Sequence, residues 1–537
     1  MALAVFLWGE TGLTQELSTI VFPSEDELLE ALNLGEIGYE QYLVLREVAG
    51  QGVDSSSAFL FDEIPNLAFF GSADRRLSWL EQQQEGGFVD GSPPAGRPRV
   101  RLRYRYYQLL DEEERDRYRL TGEAVPSDNI LARFKLYREY SGRERLVSRS
   151  LTFTDVGGAV PEITLGSYCT RLGLGTIFGY PGRLLEYSGR LDVESLAFPD
   201  YGGYNGLKAR LVHGRWKSQV LTSYAKDSSH AILSAGAMIS RRRGAFKPGF
   251  VVGFNRVRNR ANGATVNDFK AGLSWSLRYP SGSQSVEVTG QAGDGGVCPA
   301  AVIEGQHRLE DAEINFAAWA YGDRFVDLTS GSKAALFRRD VEVEETAFTY
   351  ANRRAGQEGL LLKTIVLPGG GWEVATSALV ASGAERARNL EFLGCLRRQW
   401  SDTWWTELDY LTRARRRNYG GADEKTSHHR LRFETGFQSG NITGRAYIAL
   451  TDDWNDRRYV SFLGSLRCIM PSCGTVEFWS NVGCVREGRI EYWYAYVRYQ
   501  GRLSEAVTTS VKLANRYRST SGDHNQQTAS LAVDLAI

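Results

Sequence analysis

Long apolar runs are missing from this chain of 537 residues: no stretch approaches the roughly 18–20 continuous apolar residues that a spanning helix requires. That excludes a helical membrane protein. It leaves a β-barrel untouched, because barrel strands alternate and their mean hydropathy stays low. Net charge is missing as well, with 64 Lys and Arg against 64 Asp and Glu. There is thus no bulk basic excess of the kind that drives non-specific binding to nucleic acid. Methionine is scarce at 3 and proline modest at 14. The six cysteines (Cys169, Cys298, Cys395, Cys468, Cys473 and Cys484) form no CxxC pair, which argues against a zinc ribbon or a thioredoxin-type site. What is plentiful is Gly, at 57, Tyr, at 26, and Trp, at 12. This composition suits strands, not a helix bundle or a disordered chain.

The first hundred residues differ in pattern from the rest. Met1–Trp8 is apolar but short, with no basic residue before it. Residues 1–18 are expected to be the remnant of a signal peptide, the other reading being a first strand or a buried helical turn. Residues 19–80 read as helical. Pro23, Ser24, Glu25, Asp26 and Glu27 make a helix start with acidic residues in its first turn, followed by Leu28, Leu29 and Leu32 at helical spacing. Gly35 stops that helix. Tyr39, Tyr42, Leu43, Leu45 and Val48 mark a second, and Asp54 and Ser55 cap a third carrying Phe59, Leu60 and Ile64. Residues 81–98 are polar and rich in Gly and Pro, as a linker is.

From residue 99 the period becomes two. Arg99, Arg101, Arg103 and Arg105 alternate with Val100, Leu102, Tyr104 and Tyr106. Arg133 and Lys135 alternate with Ala132, Phe134 and Leu136, and Arg430, Arg432 and Glu434 with Leu431 and Phe433. Such segments, about ten residues long, recur to the end of the sequence with one apolar and one charged face. The fold predicted is mainly β: a large antiparallel up-and-down transmembrane barrel over 99–537, of about 22 strands within a range of about 18–26, behind a small α-helical domain. Arg99, Arg101, Arg103, Arg105, Arg133, Lys135, Arg430, Arg432 and Glu434 are the expected lumen-lining residues, since a lipid-facing charge costs roughly 2–4 kcal/mol at the midplane. Tyr137 and Tyr140, Trp404 and Trp405, and Tyr492, Trp493, Tyr494, Tyr496 and Tyr499 are candidates for interfacial girdles. A soluble β-rich secreted protein is the rival reading, but such a chain would show linkers or a fixed repeat, and none follows residue 98.

Two stretches resemble known parts. Val53–Leu67 resembles the first half of a helix-hairpin-helix repeat. Leu165-Gly166-Ser167-Tyr168, followed by Arg171-Leu172-Gly173-Leu174-Gly175, resembles the Gly-Asp-Tyr…Phe-Gly-Gln-Gly-Leu stretch that opens the barrel in a family of bacterial envelope proteins. That family joins a periplasmic helix-hairpin-helix segment to a large outer-membrane barrel, and the order of parts matches here. The resemblance implies an outer-membrane location with a periplasmic N-terminal segment. Helix-hairpin-helix units grip DNA through the backbone of a glycine-containing hairpin. Here the hairpin reads Pro65-Asn66-Leu67-Ala68 without those glycines, and Arg75 and Arg76 are the only basic pair nearby. Nucleic acid is therefore not an expected partner.

No constellation points to bond-making chemistry, and no enzyme, metal or cofactor is expected. His428 and His429 are adjacent, so in a strand they point to opposite faces. Asp452, Asp453 and Asp456 read as a solvated turn more readily than as a calcium loop. Gly369-Gly370-Gly371 is a turn with no following helix to make a phosphate cradle. Arg241–Arg243 and Arg415–Arg417 read as solvated strand ends, with lipopolysaccharide phosphates as the alternative contact. Cys468 and Cys473 flank a plausible turn. A disulfide across a hairpin is one reading, and two unpaired small residues on adjacent strands is the other. The function expected is solute passage or binding through a mixed-charge lumen. The alternative is an envelope DNA-uptake or scaffold component that binds a periplasmic partner through residues 22–80. Outer-membrane lipid and lipopolysaccharide are the expected surroundings. Counting back from Ile537 puts Arg518–Gln526, Thr451–Arg458 and Arg416–His428 outside, and Gln500–Glu505, Met470–Gly474 and Gln438–Asn441 on the periplasmic side.

Overall fold

The computed structural model describes residues 99–537 except 111–115, 128, 139–143, 169, 171, 180–203, 227–229, 261, 294–295, 326–340, 344–347, 351–354, 384–387, 420–421, 453–457, 471–473, 486–489, 505, 519–523 and 537. The expected signal remnant, helical segment and linker lie outside the described residues.

The strands follow one another almost without interruption. They are β1 (Arg99–Leu109), β2 (Asp116–Ser127), β3 (Ile130–Arg138), β4 (Glu144–Gly157), β5 (Val160–Tyr168), β6 (Tyr204–His213), β7 (Trp216–Lys226), β8 (His230–Arg241) and β9 (Phe246–Asn259). Next come β10 (Thr265–Tyr279), β11 (Gly282–Gly293), β12 (Gly296–Leu309), β13 (Ala312–Tyr321), β14 (Val341–Val343), β15 (Phe348–Tyr350), β16 (Glu358–Gly369), β17 (Trp372–Ser382) and β18 (Arg388–Ser401). The last are β19 (Trp404–Tyr419), β20 (Ala422–Ser439), β21 (Ile442–Asp452), β22 (Arg458–Met470), β23 (Gly474–Val485), β24 (Ile490–Arg502), β25 (Val507–Arg518) and β26 (His524–Ala536). Twenty-four of them form one antiparallel sheet, each paired with its sequence neighbour, while β14 and β15 pair only with each other. β1 pairs with β26 (Leu102↔Leu535, Tyr106↔Leu531), so the 24-stranded sheet closes on itself and has no edge. An up-and-down barrel is the result, and its 24 strands fall within the range expected from strand length.

The two rims differ. At one, the connections are tight: Gly214-Arg215 joins β6 to β7, Pro280-Ser281 joins β10 to β11, and Gly440-Asn441 joins β20 to β21. β1 starts and β26 ends at this rim, as Arg101↔Ala536 shows. At the other rim lie the two longest connections, 169–203 between β5 and β6 and 322–357 between β13 and β16. One expected loop is instead sheet. β19 and β20 stay paired as far as Tyr419↔Ala422, so the expected connection 416–428 shrinks to residues 420–421. The charge of Arg415–Arg417 and Glu424–Lys425 resembles a loop in composition, but the ladder runs through it.

Candidate functional site: the interior of the barrel

Paired residues on adjacent strands share a face, so exposure at a few positions assigns the whole wall. Leu273 is 59% exposed and Phe433 49%, whereas Glu434 is 1% exposed and Glu287 fully buried. Outward positions are apolar: Phe250, Leu273, Leu362, Phe392, Leu431, Phe462 and Leu513 stand in the open. Many buried positions on these and neighbouring strands are polar or charged, among them Asp268, Lys270, Glu287, Lys363, Asp409 and Arg432, beside apolar ones such as Val251, Leu361, Leu393 and Leu463. This inverts the rule for soluble sheets, where the buried face is the apolar one. Near the tight-turn rim the outward face turns aromatic. Arg241 lies over Trp216 at 5.2 Å, and Arg398 over Trp372 at 4.9 Å and Trp400 at 3.8 Å. Trp400 stacks on Trp404, and their indole N–H groups donate to Thr406 and Thr435.

A wall of 24 strands, drawn as a circle with usual spacing and tilt, is roughly 45–50 Å across. Its own side chains cannot fill such an interior. On the side built by β5–β17, main chain enters. Thr170–Gly179, from the long connection after β5, lies against the inner wall with Leu172, Ile177 and Phe178 fully buried. Its anchor is Glu287 on β11. That carboxylate accepts the backbone N–H of Leu174 (2.6 Å) and of Thr176 (2.9 Å), and the Thr176 hydroxyl as well. Gly173 makes the approach feasible: at φ +61° a Cβ there would sit 1.8 Å from Glu287 Oε2. Gly236 and Gly253 make the matching hollow in the wall, where any Cβ would strike the Phe178 ring. Tyr168 stacks on Tyr204, and their hydroxyls donate to the carbonyls of Thr222 and Gly179. Leu174 also joins a buried cluster with Trp319, Tyr321, Phe325 and Leu361. Phe325 belongs to the second long connection, and Lys270 holds it in turn, 4.8 Å from the ring centroid and paired with Asp268 at 2.9 Å. The Gly-rich stretch singled out in the sequence is therefore the inward segment itself.

On β18–β24 the inner face instead carries an ionic network. Arg432 bridges Glu407 (3.2 Å), Glu434 (3.3 Å) and Asp409. Arg430 reaches Asp409 at 3.5 Å, Arg445 clasps Glu434, and Arg413 meets Glu391 at 2.9 Å. Further on, Glu477 accepts from Arg498 and from the Tyr496 hydroxyl (2.6 Å), and Trp479 stacks on Tyr496.

Arg430, Arg432 and Glu434 are thus brought together on one buried face. Arg101, Arg103 and Arg105 lie opposite Leu102, Tyr104 and Tyr106 on β1, and Tyr106 pairs with the exposed Leu531, so the arginines take inward register positions. Arg133 shares that face and is 2.8 Å from Glu123; Arg99 and Lys135 take inward positions by register. His428 is inward and buried, while His429 meets Tyr410 on the other face. One expectation is corrected. Tyr494 and Tyr496 are not girdle residues but pack on Trp479 inside, because they keep step with Arg498 on the period of two. Cys468 is a free thiol facing Val476 across a ladder that closes at Met470↔Gly474; Cys473, the other half of the expected pair, lies outside the described residues. Sequence reading missed the Glu287 anchor, since a lone Glu between Val286 and Val288 carries no signal beyond alternation.

No protein-family model matches the chain, and no curated protein matches it. Among solved structures the chain is similar to the siderophore receptor PirA from Pseudomonas aeruginosa, at 8% identity over 83% of this chain and 81% of that one, with a TM-score of 0.46. It is also similar to the FrpB iron transporter from Neisseria meningitidis, at 8% identity over 82% and 81%, with a TM-score of 0.43. The translocation pore of the P pilus usher PapC is similar at 9% identity over 82% and 99%, with a TM-score of 0.33. The barrel itself is established by its own strand pairing.

Proposed function

We propose that this chain is an outer-membrane barrel that passes or binds polar solutes through its interior, with no covalent chemistry. The observation that carries this reading is the inverted wall: apolar side chains stand exposed outside, and paired charges are buried inside. Water would not tolerate so large an apolar outer surface on a single chain, whereas hydrocarbon requires it. Arginine and tryptophan at the tight-turn rim suit a lipid headgroup boundary, where lipid and lipopolysaccharide phosphates are the natural neighbours. That rim, which holds both ends of the barrel, is assigned to the periplasm, and the rim with the two long connections to the outside. The segment 170–179 narrows the interior on one side, leaving selectivity to the charged side.

Two measurements test the reading. The full chain should fractionate with outer membranes and need detergent for extraction. Reconstituted in planar bilayers, it should carry ionic current whose charge selectivity responds to substitutions at Arg432 or Glu434. A protein that stays in aqueous solution without detergent, or one that inserts, carries no current in any salt and binds no polar solute, would refute it.

A further inference from the structure

Strands β6–β10 are strongly cationic. Residues 204–279 hold fourteen Lys and Arg and two Asp and Glu, Asp227 and Asp268. Asp227 lies outside the described residues, and Asp268 is paired with Lys270. Four of the cations meet at the tight-turn rim: Lys217 on β7, Arg242 just after β8, Lys247 on β9 and Arg278 on β10. All four take inward positions. Lys217 keeps step with the buried Leu221, Lys247 with the buried Val251, and Arg278 with the buried Ser274. Ser240 is buried opposite Gly249, and Arg242 follows it inward by alternation.

Register turns these four into a zigzag across four strands. The bridge Arg243↔Phe246 continues the register of Ser240↔Gly249, which sets Arg242 directly opposite Lys247. Residues directly opposite in an antiparallel pair have Cβ atoms about 4.5–5.5 Å apart, and like charges there are destabilising. Lys217, opposite Ser240, is the diagonal neighbour of Arg242. Arg278, two residues beyond Ser276, is the diagonal neighbour of Lys247. Lys217, Arg242 and Arg278 all repel the Lys247 ammonium. The four side chains are exposed, and none of them forms an ion pair among the described residues. The inward carboxylates nearest in register are engaged or distant. Glu287 accepts from the inward segment, Glu162 is held by Lys208 and Arg210, and Glu304 lies on β12, two strands from Arg278.

Hydroxyls complete the lining. Ser276 faces Lys247, and Ser285 Oγ donates to Ser276 Oγ at 2.9 Å. The inward segment begins one step deeper: Gln219, two residues from Lys217 and on the same face, donates to the Thr170 hydroxyl. Clustered cations with hydroxyls and no free carboxylate suit a phosphoryl group, whose oxygens accept several charge-assisted hydrogen bonds at once. We propose that Lys217, Arg242, Lys247 and Arg278 form a binding site, at the tight-turn mouth of the barrel, for a soluble anion that carries phosphoryl groups. The bound anion would offset the repulsion between Arg242 and Lys247. The site stands on charge and register; only its consequence, that such an anion is gathered at the mouth for passage, rests on the reading of the barrel as a conduit.

Inorganic pyrophosphate is the probe. Titrated calorimetrically into the full chain in non-ionic detergent at low salt, it should bind saturably. The double variant Arg242→Gln, Lys247→Gln should weaken binding at least tenfold. Arg241→Gln should change it less than twofold, because Arg241 lies at the same rim but over the outward Trp216. Without pyrophosphate the double variant should unfold at no lower a temperature than the parent, since it loses a like-charge pair. With pyrophosphate only the parent's midpoint should rise. No saturable binding, or equal weakening by both variants, would overturn the site. Bilayer discs of phosphatidylcholine, with and without phosphatidylglycerol, distinguish the sources of the phosphate. A soluble ligand binds in both, whereas binding abolished by phosphatidylglycerol would give these cations to lipid headgroups and overturn the proposal. A chain that conducts and binds no pyrophosphate defeats the site alone; one that binds it and carries no current keeps the site and defeats passage.

Discussion

The two sides of this barrel solve one problem by different means. An interior too wide for its own side chains leaves polar wall residues facing a space that something must satisfy. On β5–β13 the solution is main chain: Thr170–Gly179 brings N–H groups to Glu287 and apolar side chains to Leu221 and Val251. On β18–β21 the solution is charge against charge, with Arg432 shared among Asp409, Glu407 and Glu434. The first arrangement is specific to one docked segment. The second is internal to the wall and would hold whatever occupies the interior. Substitutions should therefore behave differently on the two sides.

The largest effect is expected on the ionic side. Arg432→Ala leaves three carboxylates together with one guanidinium fewer, and breaking a buried pair costs about 3–5 kcal/mol. The midpoint of heat-induced unfolding, read by loss of the folded band in semi-native electrophoresis, should fall. Adding Glu407→Gln and Asp409→Asn should recover most of the loss, since uncompensated charge causes it. If the triple variant is no better than the single one, packing of Arg432 over the Tyr447 ring at 5.5 Å matters more than charge.

Next comes the anchor of the inward segment. Glu287→Ala removes an acceptor of three hydrogen bonds, and hydrogen bonds to a charged group are each worth about 1.5–3 kcal/mol at most. The wall of β11 keeps its own ladder, so the barrel should remain folded while the segment leaves its seat. The readout is a cysteine at Thr176, which in the parent is fully buried and should resist a water-soluble maleimide. In Glu287→Ala it should label at least tenfold faster, and channel current should rise. Unchanged labelling would mean that Phe178 in its glycine hollow holds the segment without the carboxylate.

How much of this was legible in the sequence follows from what periodicity encodes. Alternation reports which residues share a face, so the period of two alone was enough to group Arg101 with Arg103, and Arg430 with Arg432 and Glu434. Strand number came out close because a strand with its turn has a nearly fixed length. Composition misled at Arg415–Lys425, where a charged ladder resembles a loop, and at Tyr492–Tyr496, where aromatic content suggested a rim but the period placed Tyr494 and Tyr496 inside. The anchor at Glu287 pairs residues more than a hundred positions apart, and no local pattern records such a contact.

A smaller effect is expected from filling the hollow. Gly253→Ala places a methyl 2.2 Å from Ile177 Cγ2 and 2.5 Å from Phe178 Cε2. Overpacking of this kind costs about 1–3 kcal/mol, and because the ring lies on the inward segment, the segment should yield before the wall does. Thr176→Cys should then label faster than in the parent but slower than with Glu287→Ala. On the ionic side, Gly464 faces nothing within 4 Å of its would-be Cβ, so Gly464→Ala should be neutral. A strong loss there would show that something outside covers the wall.

The smallest expected effect on stability belongs to a pair of cysteine probes on β1, and it is informative because nothing need unfold. Leu102 pairs with Gly122, which pairs in turn with the exposed Phe134, so Leu102 takes the outward face; Arg101 takes the opposite one and pairs with Glu123. Successive residues of a strand cannot share a face, so the two probes report one register from both sides. In the bilayer-embedded protein, Leu102→Cys should react with a membrane-soluble maleimide and resist a charged one, and Arg101→Cys should do the reverse. Equal reaction of both positions with the charged reagent would place this wall in water on both faces, and the distinction between a lipid-facing and a solute-facing surface would fail there.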